Sequence, residues 1–388
     1  MKVIVVGAGV IGASVARSLA LAGQKVVVLD RRGVGAGTTS TSFAWTNANR
    51  KLDPNYYRIN LAGMDEHGVL ARELPGEPAY FPSGGLQWAD DATRSGLVRN
   101  VERLQDAGYP ARWVDRDEAG RIAGDIRIPA SATAIAHFPT EGYVRPDRLV
   151  ENLLADAVRH AAVVEIAEVA SFADGPAQAS VTLTDGRTCT ADRVVLASGR
   201  WTDRLAAGSG FDVPMITDTG PGSPIIGLLG YVRSPRIDLR CVIHTPGLNL
   251  RPGAGRPTVL QALDLNPQVD PASPPDPGGE LARALGDRLA RLLQPADPAP
   301  EIDLRVGLRS LPADGNTIAG YVSPDSRVYC VVSHGGITLA PLLGRLVASE
   351  ITTDASEDLL AAFRPSRFAG LERSEIPVPV RPATLGEQ

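Results

Sequence analysis

Gly7, Gly9 and Gly12 stand in G-x-G-x-x-G spacing directly behind the apolar, mostly β-branched run Val3 to Val6. That combination points to a site for a nucleotide pyrophosphate. The first glycine permits a tight turn, the second lets the backbone approach the phosphates, and the third lets the following helix pack closely on the strand. Val10 and Ile11 lie inside the motif, where the helix N-terminus offers free N–H groups to an anion. Val26 to Leu29 reads as a second buried strand ending in Asp30, 18 residues beyond Gly12, where a carboxylate accepts hydrogen bonds from ribose hydroxyls. Arg31 and Arg32 follow; they leave room for a phosphorylated ribose, and Asp30 argues against one. From these residues alone the nucleotide is NAD or FAD.

Other side chains with chemical capacity lie far along the chain. Arg309 carries a guanidinium fork that suits a carboxylate bidentately. His334-Gly335-Gly336 precedes Leu339, Leu342, Leu343 and Leu346 at helical spacing, so a helix is expected to begin there with its N–H groups open to a ligand. His244 and His334 are candidate polar contacts to a substrate, weighed against structural roles, and Trp45, Tyr231 and Tyr321 are weaker candidates. No metal-ligand or Ser-His-Asp pattern competes with these residues.

The elements that must position them alternate. A helix over Ala13 to Ala22 stops at Gly23, and Gly33 to Asn49 is a polar loop. Pro54 opens a helix to about Leu74, Gly84 to Trp88 is a strand, and Ala92 to Ala107 is helical. After Pro146 comes an amphipathic helix with Leu149, Leu153, Leu154 and Val158 on one face. Strands follow at Val163 to Ile166, Ala179 to Leu183 and Val194 to Ala197, then mixed strands from Val213 to Leu263 and an exposed loop between Asn266 and Gly279.

Composition narrows the partners. The chain has 388 residues, 44% of them hydrophobic and 21% charged, which excludes disordered and membrane-spanning classes. A net charge of -5 without long blocks of one sign argues against nucleic acid or an anionic membrane as partner. Lysine occurs only at positions 2, 25 and 51, so any mechanism needing a later lysine is ruled out. Cys189, Cys241 and Cys330 are odd in number and far apart, against a disulfide framework or structural zinc, and suggest a reducing, cytoplasmic setting.

The order of segments resembles the D-amino acid oxidase family of FAD-dependent oxidoreductases, which includes glycine oxidase and sarcosine oxidase. The matching stretches are VIVVGAGVIGAS with VVVLDR, EGYVRPDRLVENLL, RVVLASGRWTDRL, and RVGLRSLPADGNTIAG followed by VYCVVSHGGITLAPLLG. The resemblance decides for FAD and implies an α/β fold, a Rossmann-like FAD-binding domain with an inserted β-rich (α+β) substrate domain. It assigns residues 1–80, 140–210 and 305–370 to the first, 81–139 and 211–304 to the second, and 371–388 to a C-terminal tail. It also implies that Thr38, Thr39 and Ser40 match a phosphate-contacting hydroxyl loop, that Val169 meets the adenine, and that Gly199 with Trp201 forms a second FAD-contacting segment. Gly335, Gly336, Ile337 and Thr338 then face the flavin, and Arg309 binds a substrate carboxylate.

Three positions depart from the family pattern. Ser310 replaces a common proline, Gly-His-Gly appears as His334-Gly335-Gly336, and Gly307 stands where sarcosine oxidases carry a flavin-linking cysteine. Noncovalent FAD is therefore expected. The implied reaction oxidises a glycine-like, N-alkylated or D-configured amino acid to an imine by hydride transfer to flavin N5, with O2 or another acceptor taking the electrons. A hydroxy-acid dehydrogenase and a flavin-binding subunit of a larger complex stay open as alternatives.

Overall fold

The computed structural model of the chain describes residues 1–234, 236–273, 275–293 and 300–377. Residues 378–388 of the expected tail, Pro274 of the expected loop, and Pro235 and 294–299 within the expected insertion lie outside the described residues.

The run Val3 to Val6 is buried on both faces, with Val3, Ile4 and Val5 at 0% exposure. It can be so because its alternate side chains meet different layers. Val3 and Val5 pack with helical residues such as Ala13, Leu19 and Leu342. Ile4 and Val6 pack instead with Phe172, Val181 and Leu183 of a small antiparallel sheet formed by Val169–Asp174, Ala179–Leu183 and Thr188–Ala191.

Strand Lys2–Val6 sits inside a six-stranded sheet, between Lys25–Asp30 and Arg193–Leu196, both parallel to it. Val163–Ile166 extends one side, and Val328–Val332 then antiparallel Ile318–Tyr321 extend the other. Five parallel strands thus end on one edge, at Gly7, Asp30, Ala167, Ala197 and Ser333, and a ligand crevice forms outside such ends.

The second sheet has eight strands. Glu301–Leu308, Ile226–Ser234 and Thr258–Gln261 lie at one end, and Gly85–Ala89, Ala134–Phe138 and Arg112–Trp113 at the other. The halves join where Val242–His244 runs parallel to Gly85–Ala89. Strand Glu301–Leu308 crosses the expected border at 304/305 and delivers Arg309 from the end of this sheet.

Helix positions follow their caps. Asp53 accepts from Tyr56 N and Pro54 occupies the first turn, giving helix Pro54–Glu73. Helix Arg94–Asp106 and helix Pro146–Arg159 form where expected, although Val158 is 50% exposed and does not share the buried face of Leu149, Leu153 and Leu154. The physical reason is angular: at 100° per residue Val158 falls at the margin of the stripe centred between Leu149 and Leu154, whereas Ala157 in the same turn is fully buried. Arg17 of the first helix donates to Asp156 at 2.6 Å and pins the two helices together. Among the described residues no helix is long and apolar enough to cross a membrane.

Candidate active site

The glycine turn is fixed by sterics. Gly7 has φ +113°, and a Cβ there would lie 2.4 Å from the Ala197 carbonyl oxygen. At Gly12 a Cβ would lie 2.0 Å from the Gly7 oxygen, so strand and helix meet at a distance only glycine permits. Helix Val10–Leu21 opens with no acidic residue in its first turn. Its Val10 N–H donates to the buried Thr39 hydroxyl at 3.1 Å, which ties the 3-10 turn Thr38–Thr41 to the helix start.

Asp30 has a second duty that its spacing did not reveal. Its carboxylate accepts from Ala8 N at 2.8 Å, Arg32 N at 2.8 Å and Gly33 N at 2.9 Å, bracing the glycine turn from the side. A carboxylate has about four lone-pair sites, so acceptor capacity remains for a ribose hydroxyl.

A cavity of about 550 Å³ runs along these strand ends. Gly7, Gly9, Val10, Ile11, Asp30 and Arg31 line one wall. Thr38, Thr39, Val169, Gly199 and Trp201 line another, and Gly336 and Ile337 close it. Over Trp201 stand the guanidinium groups of Arg31 at 4.2 Å, Arg32 at 5.0 Å and Arg200 at 5.2 Å. Arg31 also pairs with Glu168 at 3.5 Å. Gly12 is packed behind the lining, and Ser40 is exposed, with its hydroxyl turned to Gly37 O.

A smaller cavity of about 150 Å³ continues from the first, sharing Thr38, Ser42, His334 and Ile337. Gly335, Thr338 and Arg309 line it. Helix Gly336–Thr353 begins here with Gly335 as N-cap, no capping side chain and no acid in its first turn, leaving its opening N–H groups available. Its placement depends on a residue the sequence did not flag. Pro341 lacks the N–H that would pair with Ile337 O, and His67 of helix Pro54–Glu73 contacts that carbonyl through Nε2 at 2.8 Å. Burial lowers the His67 pKa to about 4, so the ring is neutral and Nε2 carries the donating proton. Gly63 and Gly344 let the neighbouring helices approach, since Cβ atoms there would lie 2.6 Å from Thr338 O and 2.7 Å from Ser14 backbone.

Arg309 is half-buried, and its Nη1 donates to Pro224 O at 2.6 Å and Ile226 O at 2.9 Å. Nε and Nη2 make no hydrogen bond among the described residues. Burial lowers its pKa to about 10 with no carboxylate to offset it. The side-on edge of a guanidinium thus faces a cavity, fixed in place by two carbonyls. The Oδ1 of Asn47 and the Oε1 of Gln261, in residues lining the same cavity, are buried without a partner. Such acceptors suit ligand N–H groups.

Two further groups lie close. Glu141 is fully buried and accepts from Trp45 Nε1 at 2.9 Å and Tyr109 OH at 3.1 Å, in space left by Gly85. Burial pushes its carboxyl up to about 8. Lys51, lining the small cavity, is 4% exposed, and burial lowers its pKa to about 8 against the pull of Glu141.

The candidate histidines differ. His334 lines both cavities, and burial, with the charges of Arg309 and Lys51, holds it well below the ordinary imidazole range. His244 lines neither; its Nδ1 meets Asn249 Oδ1 at 3.0 Å and its ring lies 4.1 Å from that of Trp45. Trp45 lines the small cavity, whereas Tyr231 and Tyr321 line neither. No cysteine lines either cavity among the described residues, and a side chain at Gly307 would run into Thr41, 2.6 Å from its hydroxyl.

These features fit a flavin dinucleotide. The glycine cradle would be filled by any Cβ, and a helix N-terminus at the far end would stabilise a ring that becomes anionic on reduction. Comparison with known proteins agrees. A family model described as FAD dependent oxidoreductase matches residues 2–350. Glycine oxidase of Geobacillus kaustophilus is 26% identical over 385 residues, covering 95% of this chain and 97% of that protein. The crystal structure of glycine oxidase from Geobacillus kaustophilus superposes with TM-score 0.80 at 23% identity, covering 94% of this chain and 99% of that one. L-proline dehydrogenase from P. horikoshii has the same fold, with TM-score 0.80 at 20% identity over 97% of this chain and 99% of that one.

Proposed function

The chain belongs to the FAD dependent oxidoreductase family, and on that premise we propose that it oxidises a small amino acid, primary or N-alkylated, to the imine. The observation that carries this reading is Arg309, whose unpartnered Nε and Nη2 edge faces a cavity of about 150 Å³ continuous with the dinucleotide cleft. A bidentate guanidinium selects a carboxylate, and the small volume selects a short side chain.

Bound FAD supplies a hydride acceptor at N5, and the imine so formed is hydrolysed by water. The chain's own residues orient and polarise. Gly7, Gly9 and the start of helix Val10–Leu21 hold the pyrophosphate, and Asp30 holds the ribose. Val169, Arg31 and Trp201 enclose the adenine end, with Gly199 beside them. The N–H groups at Gly336 to Thr338 stabilise negative charge on the ring. Arg309 aligns the α-carbon by its carboxylate, and neutral His334 leaves the local field to the cations.

In this reading the flavin is held without a covalent bond: among the described residues no cysteine lines either cavity, and Gly307 stands where sarcosine oxidases carry the linking cysteine. We assign the dinucleotide-binding role to segments 1–80, 140–210 and 305–370, and substrate enclosure to 81–139 and 211–304. A cytoplasmic location, O2 or another small acceptor, and no nucleic acid or membrane partner complete the reading, in keeping with free cysteines and a net charge of -5.

The test is an anaerobic visible spectrum of the purified flavoprotein before and after adding glycine, N-methyl amino acids and D-amino acids. Bleaching supports the reading, and air readmitted afterwards separates oxidase from dehydrogenase. Flavin that stays oxidised with all three, yet bleaches with 2-hydroxy acids, replaces amine oxidation with alcohol oxidation.

A further inference from the structure

A carboxylate clamp leaves one requirement unmet: at neutral pH an amino acid arrives as its ammonium form, which has no nitrogen lone pair to close an imine. A base in the cavity would take that proton where it is needed. Among the described residues lining the small cavity, the ionisable side chains are Lys51, Arg309 and His334. Arginine does not deprotonate under working conditions. His334 is held so far below its ordinary range that it is too weak a base for an ammonium.

Lys51 remains. It is 4% exposed, lines the same cavity as Arg309, and its Nζ makes no hydrogen bond among the described residues. The Tyr56 ring of helix Pro54–Glu73 lies 5.6 Å from Nζ. Helix Arg94–Asp106 contributes Arg103, which reaches the Lys51 backbone oxygen at 3.5 Å, and Asn100, which donates to Asn49 at 2.7 Å. Arg50 precedes Lys51 in its own segment. Beyond these stand Glu141, itself held by Trp45 and Tyr109, then His334 and Arg309 from the far wall. The surroundings are thus rich in cations, with Glu141 the opposing carboxyl.

We propose that Lys51 accepts the proton of the substrate ammonium while Arg309 holds the carboxylate, so that the substrate reaches the flavin as a neutral amine. The proposal rests on the amine-oxidation reading. One N–H bond of the ammonium breaks, its electron pair stays on the substrate nitrogen, and the proton forms a new N–H bond on neutral Nζ. Bound FAD would supply the acceptor for the α-carbon's hydride, and the freed nitrogen lone pair would then form the C=N bond of the iminium. Lys51 returns its proton to water when product leaves. A lysine brought to about 8 by burial holds a neutral fraction large enough for this at working pH.

The experiment compares wild type, Lys51→Met and Lys51→Arg as flavin-loaded proteins. Anaerobic flavin reduction is followed against pH with whichever amino acid bleaches wild type. Wild type should show an acid limb near pH 8, and both variants should move it up to the substrate amine's own pKa, with reduction about 100-fold slower at neutral pH. Rates should converge at high pH. An unchanged acid limb in Lys51→Met, or full rescue by Lys51→Arg, overturns the proposal, because arginine keeps the charge and cannot accept the proton. Without oxygen present, a role confined to reoxidation leaves the limb unchanged and counts against it.

A second readout needs no turnover. Binding of 2-aminoisobutyrate, which lacks an α-hydrogen, is measured calorimetrically in buffers of different ionisation enthalpy. Wild type should release about one proton at about pH 7 and about none at about pH 9, and Lys51→Met should show no such dependence. Equal proton release in both proteins overturns the proposal. Wild-type flavin that no amino acid bleaches removes the underlying reading, and this inference with it. Bleaching with an unmoved limb removes the proton acceptor alone.

Discussion

Replacing Arg309 with methionine keeps much of the side chain's length and removes the fork. Two donors to Pro224 O and Ile226 O are lost, along with the two N–H groups on the cavity edge. Hydrogen bonds to a charged partner contribute about 1.5–3 kcal/mol each, so losing the pair costs about 3–6 kcal/mol of carboxylate binding. That corresponds to a Kd raised about 100- to 10,000-fold. The carbonyls of Pro224 and buried Ile226 lose their donor, so the fold loses about 1–3 kcal/mol for each left unpaired. Arg309→Lys restores charge but not the planar fork and should remain about 10-fold weaker than wild type. The assay is titration of the bound flavin's visible spectrum with substrate under anaerobic conditions, beside flavin content and thermal unfolding. Unchanged affinity in Arg309→Met with flavin still bound refutes the carboxylate role. Parallel loss of flavin and substrate refutes the assignment of Arg309 to the small cavity.

Gly12→Ala places a methyl 2.0 Å from Gly7 O and should yield protein without flavin absorption; full flavin content would show that strand and helix can separate there. Acid precipitation should leave all flavin in the supernatant, and a yellow pellet would refute noncovalent binding. His67→Phe leaves Ile337 O without its donor, costing about 1–3 kcal/mol and lowering flavin affinity, with His67→Gln recovering part of both. Glu350 supplies a pH prediction. Burial alone would raise its pKa, but bonds from Arg364, Glu357 N and Tyr329 hold it below the ordinary value. Its contribution is therefore present above the ordinary carboxylate pKa and lost as pH falls through the lowered one. Glu350→Gln should cost about 3 kcal/mol at neutral pH and flatten the acid side of the stability curve; an unchanged slope would sink the assignment.

The first thirty residues were legible because everything that shapes them is local. A strand, three glycines, a helix and a carboxylate are contiguous, and each constraint is steric or involves near neighbours. The strand-rich insertion was visible as strands but not as a sheet. Its halves join through Val242–His244 and Gly85–Ala89, and nothing within either segment encodes that pairing. Val158 showed that the apolar face was drawn too wide: it sits at the margin of the stripe, while Ala157 beside it is buried. His67 was illegible because its purpose is set by a proline on another helix. Lys51 was noticed as the last lysine of the chain, yet its setting came only with the strand pairing of Trp45 and Tyr143, which brings Glu141 beside it. Asp30 was placed correctly by spacing, but its three backbone bonds depend on a turn whose shape spacing does not give.

The dinucleotide cleft is assembled from strand ends far apart in the chain, and synthesis delivers them in order. Gly7 and Asp30 emerge first, whereas strand Val328–Val332 and helix Gly336–Thr353 come last. At ~5–20 residues/s the ribosome leaves the glycine turn waiting roughly 15–60 s for its final wall. Through that interval strand Lys2–Val6 has no Arg193–Leu196 on its open side until mid-chain, and an unpaired apolar edge invites wrong partners. A cleft that needs all of these walls holds its dinucleotide only after helix Gly336–Thr353 has joined the earlier strand ends.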